Sequence, residues 1–246
     1  MKKNIISTVL ICLIIAVPNI YSMQLDTIKT AKGYLIIHFV GHGSLFFEYQ
    51  NKIIHIDPYS RLADYSTLPK ADLIFITHSH QDHLDTVAIS KIEKNNTTLI
   101  YTKACKKVYN YKGKSIVMEN GNRQDIMDIN VEAVPAYNLV GKRPDGQAFH
   151  PKGEGNGYIL TIGGKRIYIA GDTENIPEMK TFKNIDIAFI PMNLPYTMTP
   201  EQMSDAAIMV HPKVLYPYHY GNTDVSKLTD ILKPHKEIEI RIREMK

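Results

Sequence analysis

Three histidines and an aspartate fall within six residues of the run Thr77-His78-Ser79-His80-Gln81-Asp82-His83-Leu84-Asp85. Imidazole nitrogen and carboxylate oxygen together suit a borderline divalent cation, bound at roughly 2.0–2.2 Å. Residues two apart on an extended chain point the same way, so His78 and His80 can face one point as a strand ends. On a helix they would diverge by about 200°. Asp82 and His83 follow where the chain must turn, and can approach a second point nearby. A lone histidine here would read as a solvated loop residue. This density directly behind the apolar run Leu73–Ile76 points to metal.

Asp172 ends the strand-like run Arg166–Ala170, and Gly171 before it permits a sharp turn; a turn or helix cap is the plainer reading. His219 follows Val214–Tyr216 and, taken alone among tyrosines, reads as a packed core histidine. His42 lies between Gly41 and Gly43, which let the backbone approach other groups closely. His38, His55, His211 and His235 read as strand or surface histidines, and Cys105 as a structural thiol with no evident base beside it.

These residues need strands to carry them. Short runs rich in Ile, Phe and Tyr (Tyr34–Val40, Ser44–Glu48, Lys52–Ile56 and Asp72–Thr77) are bounded by Gly, Pro, Asn or Asp and read as strands. Asp85 is placed to cap a helix over Thr86–Glu93. Thr199, followed by Pro200 and Gln202, has the composition of a capping box, opening a helix to about Val210. The alternation of Ile with charge over Glu237–Lys246 reads as a half-buried strand. Six identities recur at an offset of 114: Gly41, Gly43, Ile53, Asp72, Phe75 and Ile76 fall on Gly155, Gly157, Ile167, Asp186, Phe189 and Ile190. The common register predicts two similar β-rich halves packed sheet on sheet, with helices outside. The stretch from Gly141 to Gly157 holds five glycines, two prolines and the charges Lys142, Arg143 and Lys152, and reads as a long loop of the functional kind.

The motif formed by His78, His80, Asp82 and His83 resembles the His-x-His-x-Asp-His signature of the metallo-β-lactamase fold superfamily. Gly41-His42-Gly43-Ser44, Ile56-Asp57-Pro58, Ile169-Ala170-Gly171-Asp172-Thr173 and Tyr218-His219-Tyr220 support it. The likeness covers nearly all of the chain after residue 22. It is greatest to small hydrolases of the ascorbate-phosphate lactonase and N-acylethanolamine phospholipase D types. It implies an α+β fold, a four-layer αββα sandwich of two similar β-rich halves, with two metals in a cleft at the sheet edges. His78 and His80 would bind the first metal, Asp82 and His83 the second, with Asp172 bridging and His219 completing the second. Asp57, before Pro58, reads either as holding a ligand histidine by its distal N–H or as a simple turn residue. His42 would lie near the cleft, touching a ligand or the substrate, with a structural hydrogen bond to a loop as the alternative.

The chain departs from that family at one position. Where a third histidine of the first metal is expected, after the strand-like Val131–Ala136, stands Asn138, a poor ligand for a borderline metal. His150, twelve residues on, is the residue expected to fold back and fill the gap; an open or single-metal site is the alternative.

The implied cofactors are two divalent ions, Zn2+ first, with Mn2+ or Fe2+ as alternatives. A metal lowers the pKa of bound water from about 15.7 to about 7, so no serine or cysteine nucleophile is needed. The expected enzyme is a metal-dependent hydrolase in which metal-bound hydroxide cleaves an ester, lactone, amide or phosphodiester, with Asp82 or Asp172 orienting the nucleophile and carrying a proton. Two other classes stand beside it: an iron-dependent oxidoreductase on the same fold, and a non-catalytic binding protein with a degenerate site. The charges of the 141–157 loop would attract an anionic small molecule, and Tyr196, Tyr218 and Tyr220 would lie near it.

The formal net charge of +4 over 246 residues gives no argument for nucleic acid as a partner. Hydrophobic content of 44% and charged content of 22% exclude a disordered or fibrous chain. Lys2 and Lys3, an apolar run from Ile5 to Val17 and the small Ser22 read as a secretory signal peptide over residues 1–22. The run is too short to span a bilayer, which takes roughly 20 apolar residues. The expected mature protein is one hydrolase domain over residues 23–246, periplasmic or secreted, with no stable membrane anchor after cleavage. Nothing in the sequence speaks to an oligomeric state.

Overall fold

Fourteen strands pair into two seven-stranded sheets in the computed structural model, which describes residues 23–246. The expected signal peptide lies outside the described residues. The first sheet runs β1 (Gln24–Thr30), β2 (Gly33–Gly41), β3 (Ser44–Tyr49), β4 (Lys52–Ile56), β5 (Leu73–Phe75), β6 (Thr98–Tyr101) and β7 (Lys114–Val117), in that spatial order. The second runs β8 (Arg123–Ile126), β9 (Ile129–Ala136), β10 (Gly155–Ile162), β11 (Lys165–Ile169), β12 (Ile187–Pro191), β13 (Val214–Tyr218) and β14 (Glu239–Ile240). Each begins as an antiparallel meander of four strands and continues as three parallel ones.

The helices α1 (Thr86–Ile92) and α2 (Lys103–Val108) follow β5 and β6, and α3 (Pro200–Val210) and α4 (Val225–Leu232) follow β12 and β13. This is the four-layer α+β sandwich. Asp85 caps α1 by accepting from the Val87 and Ala88 amides, and Thr199 with Gln202 closes the capping box of α3. Among the described residues no helix is long and apolar enough to cross a membrane.

Strand periodicity sorts the core. In β5, Leu73 and Phe75 face the other sheet, while Ile74, and Ile76 just past the strand, pack with Ala88, Ile89 and Ile92 of α1. Burial on both faces is why this parallel strand reads as a continuous apolar run. Between the sheets Phe47 meets Phe189 and Phe75 meets Tyr158 edge-on, at centroid distances of 6.1 and 5.2 Å. A fully buried side chain of this size stabilises by roughly 1.5–3 kcal/mol.

The 114-residue offset is structural. Asp72 accepts the Ile53 amide and Asp186 the Arg166 amide, so each side chain clamps the start of a neighbouring strand. The Asp72 and Asp186 carbonyls accept from Thr98 and Val214, offset by two further residues. The glycine pairs differ in context. Gly41 and Gly43 flank the tight turn between β2 and β3, whereas Gly155 and Gly157 lie inside β10, which starts earlier than the loop boundary read from sequence. The segment 237–246 also differs from expectation, pairing with β13 only at Glu239 and Ile240. Beyond them Arg241 and Arg243 reach across to Asp26, and the Lys246 carbonyl accepts the His42 amide at 3.0 Å. Those side-chain and terminal contacts replace the strand ladder.

Candidate metal centre

β2, β4, β5, β9, β11 and β13 all end at one edge of the sandwich, and every candidate residue but His150, which lies late in the loop between β9 and β10, follows one of these ends. Ligand sites of α/β sheets lie outside carboxyl ends of strands for the same topological reason. His42 follows β2, Asp57 β4, His78–His83 β5, Asn138 β9, Asp172 β11 and His219 β13. Three of these are non-glycine residues held at positive φ: His42 at 50°, Asp57 at 42° and His219 at 47°. Such backbone costs of order 1–3 kcal/mol and persists where surrounding structure enforces it. Here the enforcement includes the His219 amide donating to the His42 carbonyl at 2.9 Å. Gly43 lets this turn close: a Cβ there would sit 3.0 Å from His83 Cε1.

Three overlapping clusters of donor atoms form, each with its atoms within 4.8 Å of one another: His78, His80 and His150; His42, Asp82, His83 and His219; and His78, His83 and Asp172, which joins the first two. Asp172 Oδ2 is 3.3 Å from His150 Nε2 and 3.6 Å from His219 Nε2, and its Oδ1 is 3.6 Å from His83 Nε2. His78 Nε2 lies 3.0 Å from His80 Nδ1.

The outer hydrogen bonds decide which ring nitrogens face inward. Asn138 Nδ2 sits between two acceptors, Glu174 Oε1 and the Tyr196 carbonyl, so Oδ1 faces His150. That oxygen accepts from the His150 backbone N–H and from Nδ1–H. His83 Nδ1–H donates to Asp57 Oδ2 at 2.8 Å, and the Thr77 hydroxyl donates to the same oxygen. The Thr77 oxygen can then accept from His78 Nδ1–H at 3.1 Å. Asn193 Nδ2 lies 3.2 Å from His219 Nδ1, an amide N–H group facing that ring nitrogen. With Nδ1–H donated outward, His78, His83 and His150 present the Nε2 lone pair, the form that binds metal.

His83 Nε2, His150 Nε2, His219 Nε2 and Asp172 Oδ1 are buried with no hydrogen-bond partner. Leaving such atoms unpaired costs about 1–3 kcal/mol each, yet all four gather around the Asp172 carboxylate, with His150, His83 and His219 each within 3.6 Å of one of its oxygens. Imidazole nitrogens and a carboxylate oxygen are the donor types of Zn2+, Mn2+ or Fe2+, so the residues fit a metal.

Burial and the facing charges set the protonation of the metal-free site. Burial favours a neutral Asp172, but His219, His83 and His150 outweigh it and hold the carboxyl well below its usual range. Burial, reinforced by the neighbouring histidines, keeps His78 and His80 neutral, with His80 pushed down to about 4. Burial also disfavours charge on His83, but Asp172 and then Asp57 raise it to about 10.

A cavity of about 480 Å³ opens over the centre, lined among others by His42, Asp82, Arg143, Phe149, Asp172 and Tyr196. Asp82 Oδ2 lies 2.9 Å from His42 Nε2, and the His42 ring packs on His219 at 3.6 Å between centroids. Of the three tyrosines expected near the cavity, Tyr196 alone lines it. Tyr218 and Tyr220 are buried, the first accepting from the Gly171 amide and the second donating to the Arg243 carbonyl. Lys152 is likewise turned away, bonded to Glu178 and Tyr137. Cys105 is the buried residue of α2, its thiol pushed up to about 11 by burial, consistent with an inert role.

Thr77, Glu174 and Asn193 had no role in the sequence reading. Glu174 is buried and accepts from the amides of Leu139, Val140 and Gly141, anchoring the long loop beside His150. Nothing local marks such a residue, because its partners lie more than thirty positions away.

Residues 36–219 match the family model described as β-lactamase superfamily domain. A UPF0173 metal-dependent hydrolase of Nanoarchaeum equitans is 34% identical over 197 residues, covering 78% of this chain and 86% of that protein. A crystal structure described as a metal-dependent hydrolase from Parabacteroides distasonis is 50% identical with a TM-score of 0.86, covering 92% of this chain and all of that one. Igni18, a metallo hydrolase of Ignicoccus hospitalis, shares the fold at 24% identity and a TM-score of 0.70, over 85% of this chain and 94% of its own.

Proposed function

The chain belongs to the β-lactamase superfamily domain family, within which it is a metal-dependent hydrolase, and from that premise we propose that it is dinuclear, with two divalent ions, zinc first, held along the His78–His83 loop. The observation that carries this reading is the convergence of four unpartnered buried atoms, on His83, His150, His219 and Asp172, from four different loops. His78, His80 and His150 would hold one ion, Asp82, His83 and His219 the other, with Asp172 between. When bound, the ions would supply a nucleophile at neutral pH and polarise the scissile bond.

The chain's own groups do the rest. Asp172 is buried and stays ionised as the fixed countercharge. Asp82 has a side chain 34% exposed against 4% for Asp172, so it is the carboxylate that meets the substrate. Its carboxylate orients the attacking water, held in place by the hydrogen bond that Oδ2 accepts from His42 Nε2–H. Phe149 and Tyr196, packed edge-on at 5.2 Å, form an aromatic wall of the cavity. The bond cleaved is an ester, lactone, amide or phosphodiester of a small molecule. The protein works as one domain over residues 23–246, exported to the periplasm or medium after loss of residues 1–22.

Elemental mass spectrometry on protein purified without chelator tests the centre. Two equivalents of metal per chain, with chelator-sensitive hydrolysis in an ester, lactone, amide and phosphodiester panel, is the expected result. One equivalent removes the dinuclear reading, and none after reconstitution removes the metal reading altogether. Amino-terminal sequencing of the protein from a fractionated host, starting at or near Met23 outside the cytoplasm, tests the export.

A further inference from the structure

We propose that Arg143 forms an oxyanion-binding subsite beside the metal centre, and that the substrate hydrolysed there carries a carboxylate or phosphate group. This rests on the hydrolase reading and adds the substrate's charge.

Of the three cations in the long loop, Arg143 alone lines the cavity. Lys152 is bonded to Glu178. Arg143 is presented by a small hairpin within the loop. Its amide donates to the Gln147 carbonyl at 2.7 Å, its carbonyl accepts from Gly146 at 2.9 Å, and Lys142 bridges Ala148. The hairpin's base is anchored on Glu174. The guanidinium packs over Phe149, with Cζ 5.8 Å from the ring centroid.

Arg123, Arg166, Arg241 and Arg243 each meet a carboxylate, while Arg61, which meets none among the described residues, does not line the cavity. Among the described residues Arg143 meets none; its Nη2 contacts only the His80 ring and the Phe149 carbonyl, at 3.1 and 3.3 Å. Asp145, on the same hairpin, accepts from the Gln147 amide instead.

The His80 contact has a consequence. A guanidinium has donors and no acceptor, so Arg143 can bond His80 Nε2 only while that nitrogen carries no hydrogen. His80 Nδ1 is the atom beside His78 Nε2, and giving its lone pair to a metal leaves the ring proton on Nε2. Two N–H groups would then face each other. Metal loading therefore frees the guanidinium to turn its paired donors to an oxyanion in the cavity, the geometry that carboxylate and phosphate match. Two dications also outweigh the negative charges of Asp82 and Asp172 nearby.

The test uses metal-loaded full chain, with Arg143→Gln and the charge-keeping Arg143→Lys. Two esters with one leaving group, para-nitrophenyl butyrate and mono-para-nitrophenyl glutarate, differ by a terminal carboxylate. Arg143→Gln is expected to lower the anionic-over-neutral ratio of kcat/KM by tenfold or more, mainly through KM, and Arg143→Lys to restore part of it. Calorimetric titration with inorganic phosphate gives a readout independent of turnover, with the dissociation constant expected to rise at least tenfold in Arg143→Gln. An unchanged ratio, or an unchanged phosphate affinity where neither ester is cleaved, overturns the subsite. Metal content measured alongside separates this failure from failure of the dinuclear reading, which would show as missing metal in the parent protein.

Discussion

Asn138 Oδ1 accepts two hydrogen bonds from His150, one from the backbone N–H at 2.8 Å and one from ring Nδ1–H at 2.7 Å. The asparagine at the position expected for a ligand thus orients the histidine that faces Asp172. Asn138→Ala removes that acceptor and frees the ring to rotate. Loss of such an outer partner typically weakens metal binding about 10–100-fold. The expected result is that loss for one equivalent of zinc, read by competition with a chromophoric chelator, with the second equivalent little changed.

Asp57 plays the matching part for His83, and also accepts the buried Thr77 amide at 2.8 Å. Asp57→Ala is expected to weaken the other equivalent by about 10–100-fold. It also orphans a buried N–H, which costs about 1–3 kcal/mol. Chemical denaturation of the metal-stripped variant should show that loss, separating it from lost metal.

The two positions should respond differently to pH. Burial disfavours charge on His83, but Asp172 and Asp57 raise it to about 10, so it is protonated at neutral pH in metal-stripped protein. Metal must displace that proton, so binding there tightens with rising pH, by up to about tenfold per unit below 10. His80 is pushed down to about 4, first by burial, and His78 is lowered by the same cause, so neither competes for protons at neutral pH. Zinc titrations between about pH 6 and 8 should show one equivalent with a steep dependence and one with a shallow one, with proton release visible in buffers of different ionisation enthalpy.

Glu174→Ala leaves three loop amides without their acceptor. A stability loss of roughly 1–3 kcal/mol is expected for a partly exposed set of this kind. Hydrogen exchange should quicken at Leu139, Val140 and Gly141, with β10 and β11 unaffected. Equal quickening throughout the second sheet would mean that Glu174 supports the core and not the loop.

Much of the architecture is legible in local pattern. Short apolar runs between turn residues marked the strands, and the register of Asp72 with Asp186 marked the halves, because the same backbone clamp recurs in each. His78, His80, Asp82 and His83 are also a local matter, since the bend and turn after β5, closed by the His83 and Leu84 amides on the His80 carbonyl, keep near neighbours together without help from the rest of the chain. What lay beyond the sequence is every relationship that depends on where distant strand ends meet. Whether Asn138 or His150 faces Asp172, which loop cation enters the cavity, and that Tyr218 and Tyr220 turn inward are decided by packing at one edge of two sheets. Loop residues carry no periodicity to report their direction. A carboxylate such as Glu174 takes its role from partners more than thirty positions away, so only the assembled fold, which leaves buried polar atoms with few alternatives, sets which hydrogen bonds it makes.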